Sequence, residues 1–401
     1  MHSRIVLMVA GLVVSAACSD STPIAPDNAS EGRALSTGET TASDRWMRAT
    51  RVILGRREIG SPVVITRNFA LIAVAGYNAA TAAGAAAPLG GKKPSEAGAV
   101  AGASAAMLRA FYPAEDTAIT AQLASDRAYF GTIAAETAFD FAAGEAVGAS
   151  IATQVLARAA TDGSDAVWTG TIPVGPGYWT NAALPARPVA PLLGQVRGWF
   201  LTSGDQFRSA PPPAVTSAAF ATDLAEVRTL NVARTADQLA MAQFWQFASG
   251  PSGPIGHFSE LAGGLTNAAS YNERRSARVY ALLHMAMRDA TISCWDAKYA
   301  YWYIRPFQSD PSITTPVGRP NFPAYPSAHS CISASAANVL AGLFPSSRST
   351  MDAKVAEAGI SRIYAGLHFR FDITAGQEIG VKVAALALTR VPAVNRPVLL
   401  Q

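Results

Sequence analysis

The sequence has few charged residues and few segments typical of β-strands. Charged residues make up 15% of the 401 residues, against about 25% in an average soluble domain. Ala and Gly fill the deficit, and both suit closely packed helices. The net charge is only +4 and no long basic run occurs, so the chain does not have the pattern of a nucleic-acid-binding protein. Alternating apolar and polar runs bounded by tight turns are nearly absent.

Common motifs for metals and nucleotides are also missing. The sequence has no Cys/His zinc spacing, no His-Glu-x-x-His and no glycine-rich phosphate loop. His257 and His284 are therefore interpreted as structural residues. Cys294 and Cys331 form an even pair once Cys18 is set aside. They are either a disulfide in an oxidising compartment or two buried thiols.

Residues 1–17 have the pattern of an export signal. Arg4 gives a positive start, and the apolar core 5–14 is too short to span a bilayer, which needs about 20 apolar residues. Small residues precede the bond between Ala17 and Cys18. A general signal peptidase would accept this bond, and a lipoprotein peptidase would cut it and leave a lipid on Cys18. We favour the second reading, a periplasmic or cell-envelope lipoprotein.

The polar stretch at 18–44, rich in Ser, Thr, Pro and Gly, predicts a disordered tether. The folded catalytic domain is predicted to span 45–396. The lipid on Cys18 would then be the only attachment to a membrane.

Helical spacing of apolar residues dominates the remaining chain and predicts an all-α fold. The Ala-rich segments with this spacing are 66–84, 95–112, 133–160, 233–248, 274–295, 328–344 and 372–390. Two of them are alike, since 69–80 aligns without gaps to 280–291. This similarity predicts two related helical bundles packed together, although Ala-rich amphipathic helices also resemble one another by chance. Between the halves, 163–215 is rich in Pro and Trp and predicts a long ordered loop.

The first segment with candidate chemistry contains Lys298, Arg305 and Pro306. A spacing of seven residues is about two helical turns, which would place both cations on roughly one helix face. Pro306 then disfavours a helical conformation at Arg305. Two cations among aromatic residues are, taken alone, more typical of a solvated face or of cation–π pairs.

The second segment, Pro326-Ser327-Ala328-His329, precedes a long Ala- and Ser-rich run. Pro and Ser before such a run mark a helix start. Free backbone N–H groups and the positive end of the helix dipole meet there, so the segment could hold an oxoanion. Alone, it would usually be only a helix cap with a surface histidine.

The third segment contains Arg362, His368 and Asp372. Asp372 follows His368 by four residues and could accept a hydrogen bond from one ring nitrogen, which leaves the other nitrogen as a ligand or nucleophile. Arg362 provides a planar, permanently charged group that suits tetrahedral oxoanions.

In order along the chain, the three segments resemble the signature of the acid phosphatase and vanadium haloperoxidase superfamily: Lys-x6-Arg-Pro, Pro-Ser-x-His and Ser-Arg-x5-His-x3-Asp. The resemblance implies one oxoanion site with a role for each matched position. His368 would bind the central atom, and His329 would act in acid–base chemistry. The oxoanion would be held by Lys298, Arg305, Ser327, the backbone N–H of Ala328, and Arg362.

The segments 322–327 and 368–376 look more like those of the haloperoxidases than those of the lipid phosphatases. Trp295 and Phe322 match aromatic positions of fungal chloroperoxidases, and Asp289 lies in a shared Ala-x-x-Asp-Ala element. These three residues and Asp372 are expected to surround and orient the site. Haloperoxidases usually have Gly where this chain has Ala328, and the added methyl group would narrow the space for peroxide or halide.

The resemblance therefore implies a vanadate-dependent peroxidase that oxidises halide, bromide rather than chloride, with hydrogen peroxide. A small organic substrate would accept the halogen, and phosphate would compete with vanadate. One alternative is a secreted acid phosphatase that forms a phosphohistidine at His368, with His329 protonating the leaving group. Another is a non-catalytic lipoprotein that binds phosphate or vanadate, but such a protein would not need both histidines.

Overall fold

Helices make up nearly all the regular structure in the part of the chain that the computed structural model describes, residues 39–58, 61–88, 91–180, 187–246, 253–390 and 396–400. The predicted all-α fold is confirmed. The signal segment 1–17 and Cys18 lie outside the described residues. The thirteen α-helices of the described part are α1 (Ala42–Arg57), α2 (Pro62–Ala85), α3 (Glu96–Phe111), α4 (Asp116–Gly131), α5 (Phe141–Ala159), α6 (Ala218–Val232), α7 (Ala236–Phe244), α8 (Gly253–Ala268), α9 (Glu273–Tyr301), α10 (Pro306–Ser309), α11 (Ala328–Leu343), α12 (Arg348–Tyr364) and α13 (Arg370–Thr389).

Two bundles with the same helix order form the body of the molecule. In the first, α2 packs on α3 and α3 on α5, and in the second α9 packs on α11 and α11 on α13. The long helices α2 and α9 pack against each other and join the bundles. Helix α2 is long and apolar enough to cross a membrane, but most of its residues are buried within the fold, as expected for a core helix.

The similarity between the bundles extends beyond the α2 and α9 segments. Residues 94–152 align to 326–384 without a gap, and Ser95 corresponds to Ser327 as Asp140 does to Asp372. The backbone N–H of Ser95 donates to the carbonyl of Asp140, and that of Ser327 donates to the carbonyl of Asp372, both at 2.9 Å. In the first bundle this contact lies beside a two-residue parallel pairing of β1 (Lys93–Pro94) with β2 (Phe139–Asp140).

Glycine allows the paired helices to approach closely in both bundles. A Cβ at Gly376 of α13 would lie 2.6 Å from the carbonyl oxygen of Ser327, and one at Gly144 of α5 would meet the carbonyl oxygen of Ser95. Neither contact is possible for a larger residue without a shift of the backbone. The glycines therefore hold the start of α13 against the start of α11, where the site lies.

The Pro- and Trp-rich segment is ordered without α-helix in its described residues, 163–180 and 187–215, as predicted. Trp179 is fully buried, and the guanidinium of Arg158 lies 3.6 Å from the ring centroid of Trp199. The carboxylate of Asp289 accepts the backbone N–H groups of Trp199, Phe200 and Leu201. Because these contacts attach it to α9, the segment is held in a defined position against the helices.

Several boundaries differ from the predicted ones. Helix α1 begins at Ala42, ahead of the predicted start near Arg45, because the side chain of Thr41 caps it by accepting the N–H of Asp44. The segment 133–140, predicted as α-helix, instead contains a turn, a short 3-10 helix at Glu136–Ala138 and β2 before α5. The helices α1, α4, α6, α8, α10 and α12 lie outside the Ala-rich segments, so the sequence does not predict them.

Candidate active site

Lys298 and Arg305 come together, although not on one helix face as predicted. Helix α9 ends at Tyr301 because Trp302 takes the left-handed conformation, with φ of 50°. Arg305 follows in extended backbone before Pro306. Both side chains are fully buried. They share the carbonyl oxygen of Pro323, 2.9 Å from Lys298 Nζ and 3.2 Å from Arg305 Nη2.

Further carbonyl oxygens complete the surroundings of both cations. Lys298 Nζ also donates to Ala324 at 2.8 Å and to Pro326 at 2.5 Å. Arg305 also donates to Phe322 at 3.0 Å and to Leu367 at 2.9 Å. Neutral carbonyl groups satisfy these hydrogen bonds without cancelling the positive charge.

Ser327 and His329 lie at the start of α11, as predicted. The hydroxyl of Ser327 caps the helix by accepting the N–H of Ser330 at 3.4 Å. His329 lies in the first turn, and its Nε2 is 2.6 Å from the carbonyl oxygen of Trp245. Because a carbonyl can only accept, Nε2 carries the proton, and Nδ1 of the neutral ring holds the lone pair.

His368 precedes α13 and contacts Asp372, as predicted, although His368 itself is not helical. Its Nδ1 lies 2.9 Å from Oδ2 of Asp372, which also accepts the N–H of Phe369 at 3.1 Å. Nε2 lies 3.1 Å from Nη1 of Arg305, a group that can only donate. The proton is therefore on Nδ1, and Nε2 offers its lone pair towards the cations.

Arg362, near the end of α12, is fully buried. Its Nη2 donates to the carbonyl oxygen of Ala242 at 2.6 Å, and its Nε donates to the hydroxyl of Ser361 at 2.9 Å. Arg362 and His329 line the same cavity of about 360 Å³, together with Phe322 and Leu367. A larger cavity of about 650 Å³ lies between α1 and α4, away from these residues.

Burial controls the protonation of the site. It lowers the pKa of Lys298 to about 8, that of Arg305 to about 10 and that of Arg362 to about 9. Burial and the nearby cations lower the pKa of His329 and of His368 well below the usual value. At neutral pH the histidines are therefore neutral and the three long side chains are positively charged.

The predicted aromatic residues lie against the cations. The rings of Trp295 and Phe322 are 5.0 Å apart. Lys298 Nζ lies 5.8 Å and 5.2 Å from their centroids, and the Arg305 guanidinium lies 5.2 Å from the centroid of Phe322. These rings form an apolar wall that keeps water from the charged groups.

Asp289 lies apart from this cluster, so the prediction that it surrounds the site is wrong. It lies nine residues before Lys298 on α9, roughly 13 Å along the helix, and it anchors the segment at 199–201. Cys294 and Cys331 are free thiols, both fully buried. Cys294 Sγ lies 3.7 Å from the carbonyl oxygen of Pro326, which also accepts Lys298 Nζ.

The sequence did not indicate the part that the end of α7 plays in the site. Ala242 and Trp245 contribute backbone carbonyl oxygens, which any residue type could provide. The weak signal available was the run of aromatic residues with His257 that follows α7. The rings of Trp245 and His257 are 5.4 Å apart.

Comparisons with known proteins identify a family segment in this chain and solved structures with a similar fold. The family model described as PAP2 superfamily matches residues 277–396, which contain all three predicted segments. A bacterial vanadium-dependent iodoperoxidase has a similar structure, with a TM-score of 0.72, 24% identity, and coverage of 89% of this chain and 98% of that chain. A bacterial vanadium-dependent chloroperoxidase gives a TM-score of 0.69, 14% identity, and coverage of 88% and 96%. No curated protein matches the chain in sequence. The resemblance inferred from the motifs is confirmed.

Proposed function

We propose that this chain, which has the fold of the bacterial vanadium haloperoxidases and a PAP2-superfamily segment at 277–396, is a vanadate-dependent haloperoxidase. The position of His368 carries the proposal: its Nε2 lies 3.1 Å from Nη1 of Arg305, and its Nδ1 is held by Asp372. A neutral imidazole nitrogen in a cationic pocket suits the central atom of an oxoanion.

The charge balance of the pocket fits an oxoanion. Lys298, Arg305 and Arg362 are buried cations, and the carboxyl group that lies with them is Asp372, whose pKa burial raises to about 7. Buried charges are costly unless they are paired. Vanadate or phosphate would supply the missing negative charge, with Ser327 and the start of α11 adding hydrogen-bond donors.

The residues around the anion would divide the work. Vanadate, when bound, would act as a Lewis acid towards hydrogen peroxide. Lys298 would stabilise negative charge at the reacting oxygen, and Nδ1 of His329 would accept or return a proton. Trp295 and Phe322 would exclude water on the side where halide approaches. Ala328 would add a methyl group near this space. We propose bromide rather than chloride as the halide, because bromide is the easier of the two to oxidise.

The second candidate is a phosphatase, and the match to the PAP2 superfamily supports it. His368 Nε2 would then attack the phosphorus atom and form a phosphohistidine. His329, after taking up a proton on Nδ1, would protonate the leaving oxygen. Both chemistries use one site, because vanadate resembles the five-coordinate transition state of phosphoryl transfer.

The deciding experiment measures the purified protein with and without vanadate. Peroxide-dependent bromination of a phenol dye and hydrolysis of a phosphomonoester are assayed side by side. We expect vanadate-dependent bromination that His368→Ala abolishes. Arg127→Gln is a matched control, since Arg127 pairs with Glu145 on the surface of the other bundle. Rapid phosphomonoester hydrolysis without vanadate-dependent bromination would replace this proposal with the phosphatase.

We also propose that the chain is exported and held at the cell envelope by a lipid on Cys18. The small residues before Cys18 and the short apolar core at 5–14 support this.

A further inference from the structure

The end of α7 contacts two of the buried side chains that form the site. The carbonyl oxygen of Ala242 accepts Arg362 Nη2, and that of Trp245 accepts His329 Nε2, both at 2.6 Å. The last carbonyl groups of an α-helix have no partner within the helix and carry partial negative charge. Arg362 and His329 therefore donate hydrogen bonds to carbonyl oxygens at the end of α7, and these carbonyl oxygens orient the two side chains.

We propose that Trp245 and Glu357 are positioning residues that fix the ring orientation and the tautomer of His329. This inference rests on the proposed function only in giving His329 the proton-transfer role. The contacts themselves are independent of which chemistry the site performs.

The contact with Trp245 assigns the two nitrogens of His329 to different tasks. Nε2 is occupied by donation to the carbonyl group, so the unprotonated Nδ1 is the nitrogen that can take up or return a catalytic proton. A ring turned by 180° would present the wrong nitrogen to the substrate. Holding the carbonyl oxygen of Trp245 in place is therefore a condition for proton transfer.

The side chain of Trp245 holds that carbonyl group in place. The indole is fully buried, and its Nε1 donates to Oε1 of Glu357 at 3.0 Å. The rings of Phe244, His257 and Phe258 surround it at centroid distances of 5.4, 5.4 and 6.2 Å. The indole cannot rotate without losing its hydrogen bond and clashing with these rings.

Glu357 connects the side chain of Trp245 to the rest of the site. It lies on α12, five residues before Arg362, and its second oxygen accepts Lys354 Nζ at 3.0 Å. Helix α12 thus contacts the end of α7 at two points. Glu357 accepts the indole N–H of Trp245, and Arg362 donates to the carbonyl oxygen of Ala242. Loss of the contact between Glu357 and Trp245 would leave the vanadate-binding groups in place. Only the ring of His329 would lose its fixed orientation.

The test compares turnover with vanadate affinity in a double-mutant cycle. Trp245→Phe and Glu357→Ala should each lower kcat about 10–100-fold, as loss of residues that orient site groups does, while the Kd for vanadate changes less than about threefold. The double variant should be no worse than either single variant, because both remove the same link. Glu357→Gln, whose amide oxygen can still accept, should restore most of the turnover. Lys354→Met is the matched control and should behave as the parent.

Additive losses, or equal losses in kcat and vanadate affinity, would overturn the proposal. A protein without peroxidase turnover would contradict the proposed function but not this inference, so a second readout is independent of activity. The chain has five histidines, and ¹⁵N spectra of histidine-labelled protein report the tautomer of each. We expect His329 to carry its proton on Nε2 in the parent and to show a mixture in Glu357→Ala. A proton on Nδ1 in the parent would refute the assignment.

Discussion

Lys298 sets an upper pH limit for anion binding. Burial lowers the pKa of its ammonium group to about 8, from a usual value of 10.5. The amine is therefore charged below pH 8 and neutral above it in the anion-free protein. We expect the affinity for vanadate or phosphate to fall as pH rises through about 8, which a titration by calorimetry between pH 6 and 10 would measure.

The ligand also titrates, so Lys298→Met provides the baseline for this measurement. The variant should bind more weakly at pH 7 and should lack the part of the pH dependence that belongs to the amine. Parallel pH profiles for the parent and the variant would show that another group controls binding.

Residue identities could be predicted here because the chemistry depends on side chains. Lys298, Arg305 and His368 are the groups that an oxoanion site needs, and their order along the chain indicated one site. The carbonyl oxygen of Trp245 could not be predicted, because every residue has one. Asp289 was placed wrongly since a carboxylate upstream of Lys298 has the same appearance in a sequence whether it faces the site or the backbone of a distant loop.

The pairing of α11 with α13 determines whether the site can assemble. Gly376→Ala should force the helix starts apart, because the new Cβ would lie 2.6 Å from the carbonyl oxygen of Ser327. We expect a loss of about 1–3 kcal/mol in the free energy of unfolding, as for overpacked cores, together with a loss of vanadate affinity. Chemical denaturation and vanadate titration would measure the two effects.

Gly144→Ala is the matched control for this variant. Gly144 occupies the corresponding place between α3 and α5, so its substitution should destabilise the fold by a similar amount and leave vanadate affinity unchanged. If both variants lost affinity to the same extent, global destabilisation would explain the effect and helix pairing at the site would not.

Helix positions were predictable where long Ala-rich segments carried apolar residues at helical spacing. Helix α11 begins at Ala328, as the segment at 328–344 predicted, because Ser327 provides a local cap. The prediction that Lys298 and Arg305 share a helix face was wrong because α9 ends at Tyr301. Trp302 adopts a left-handed conformation there, which its residue type does not indicate. The close contact of Gly376 with α11 also needed the structure, since it depends on which helix lies opposite.

Processing at Cys18 would decide where the whole molecule works. We expect the chain to be cut before Cys18 and lipid-modified there, so that the folded part is held at the membrane by its N-terminus. Mass spectrometry of the membrane fraction would identify the modified N-terminal peptide. Cys18→Ser should release the protein into the soluble fraction, whereas an intact Met1 or a cytosolic location would contradict export.

The backbone contact between Ser327 and Asp372 has a counterpart in the contact between Ser95 and Asp140, and this allows the chain to serve as its own reference. The first bundle keeps the serine, the aspartate and the glycines, but it has Glu136 in the place of His368. Natural variation within a single molecule thus separates requirements of architecture from requirements of reactivity. A position where the same substitution unfolds the protein in either bundle is needed for helix packing. A position where the substitution removes activity only in the second bundle is needed for the chemistry of the site.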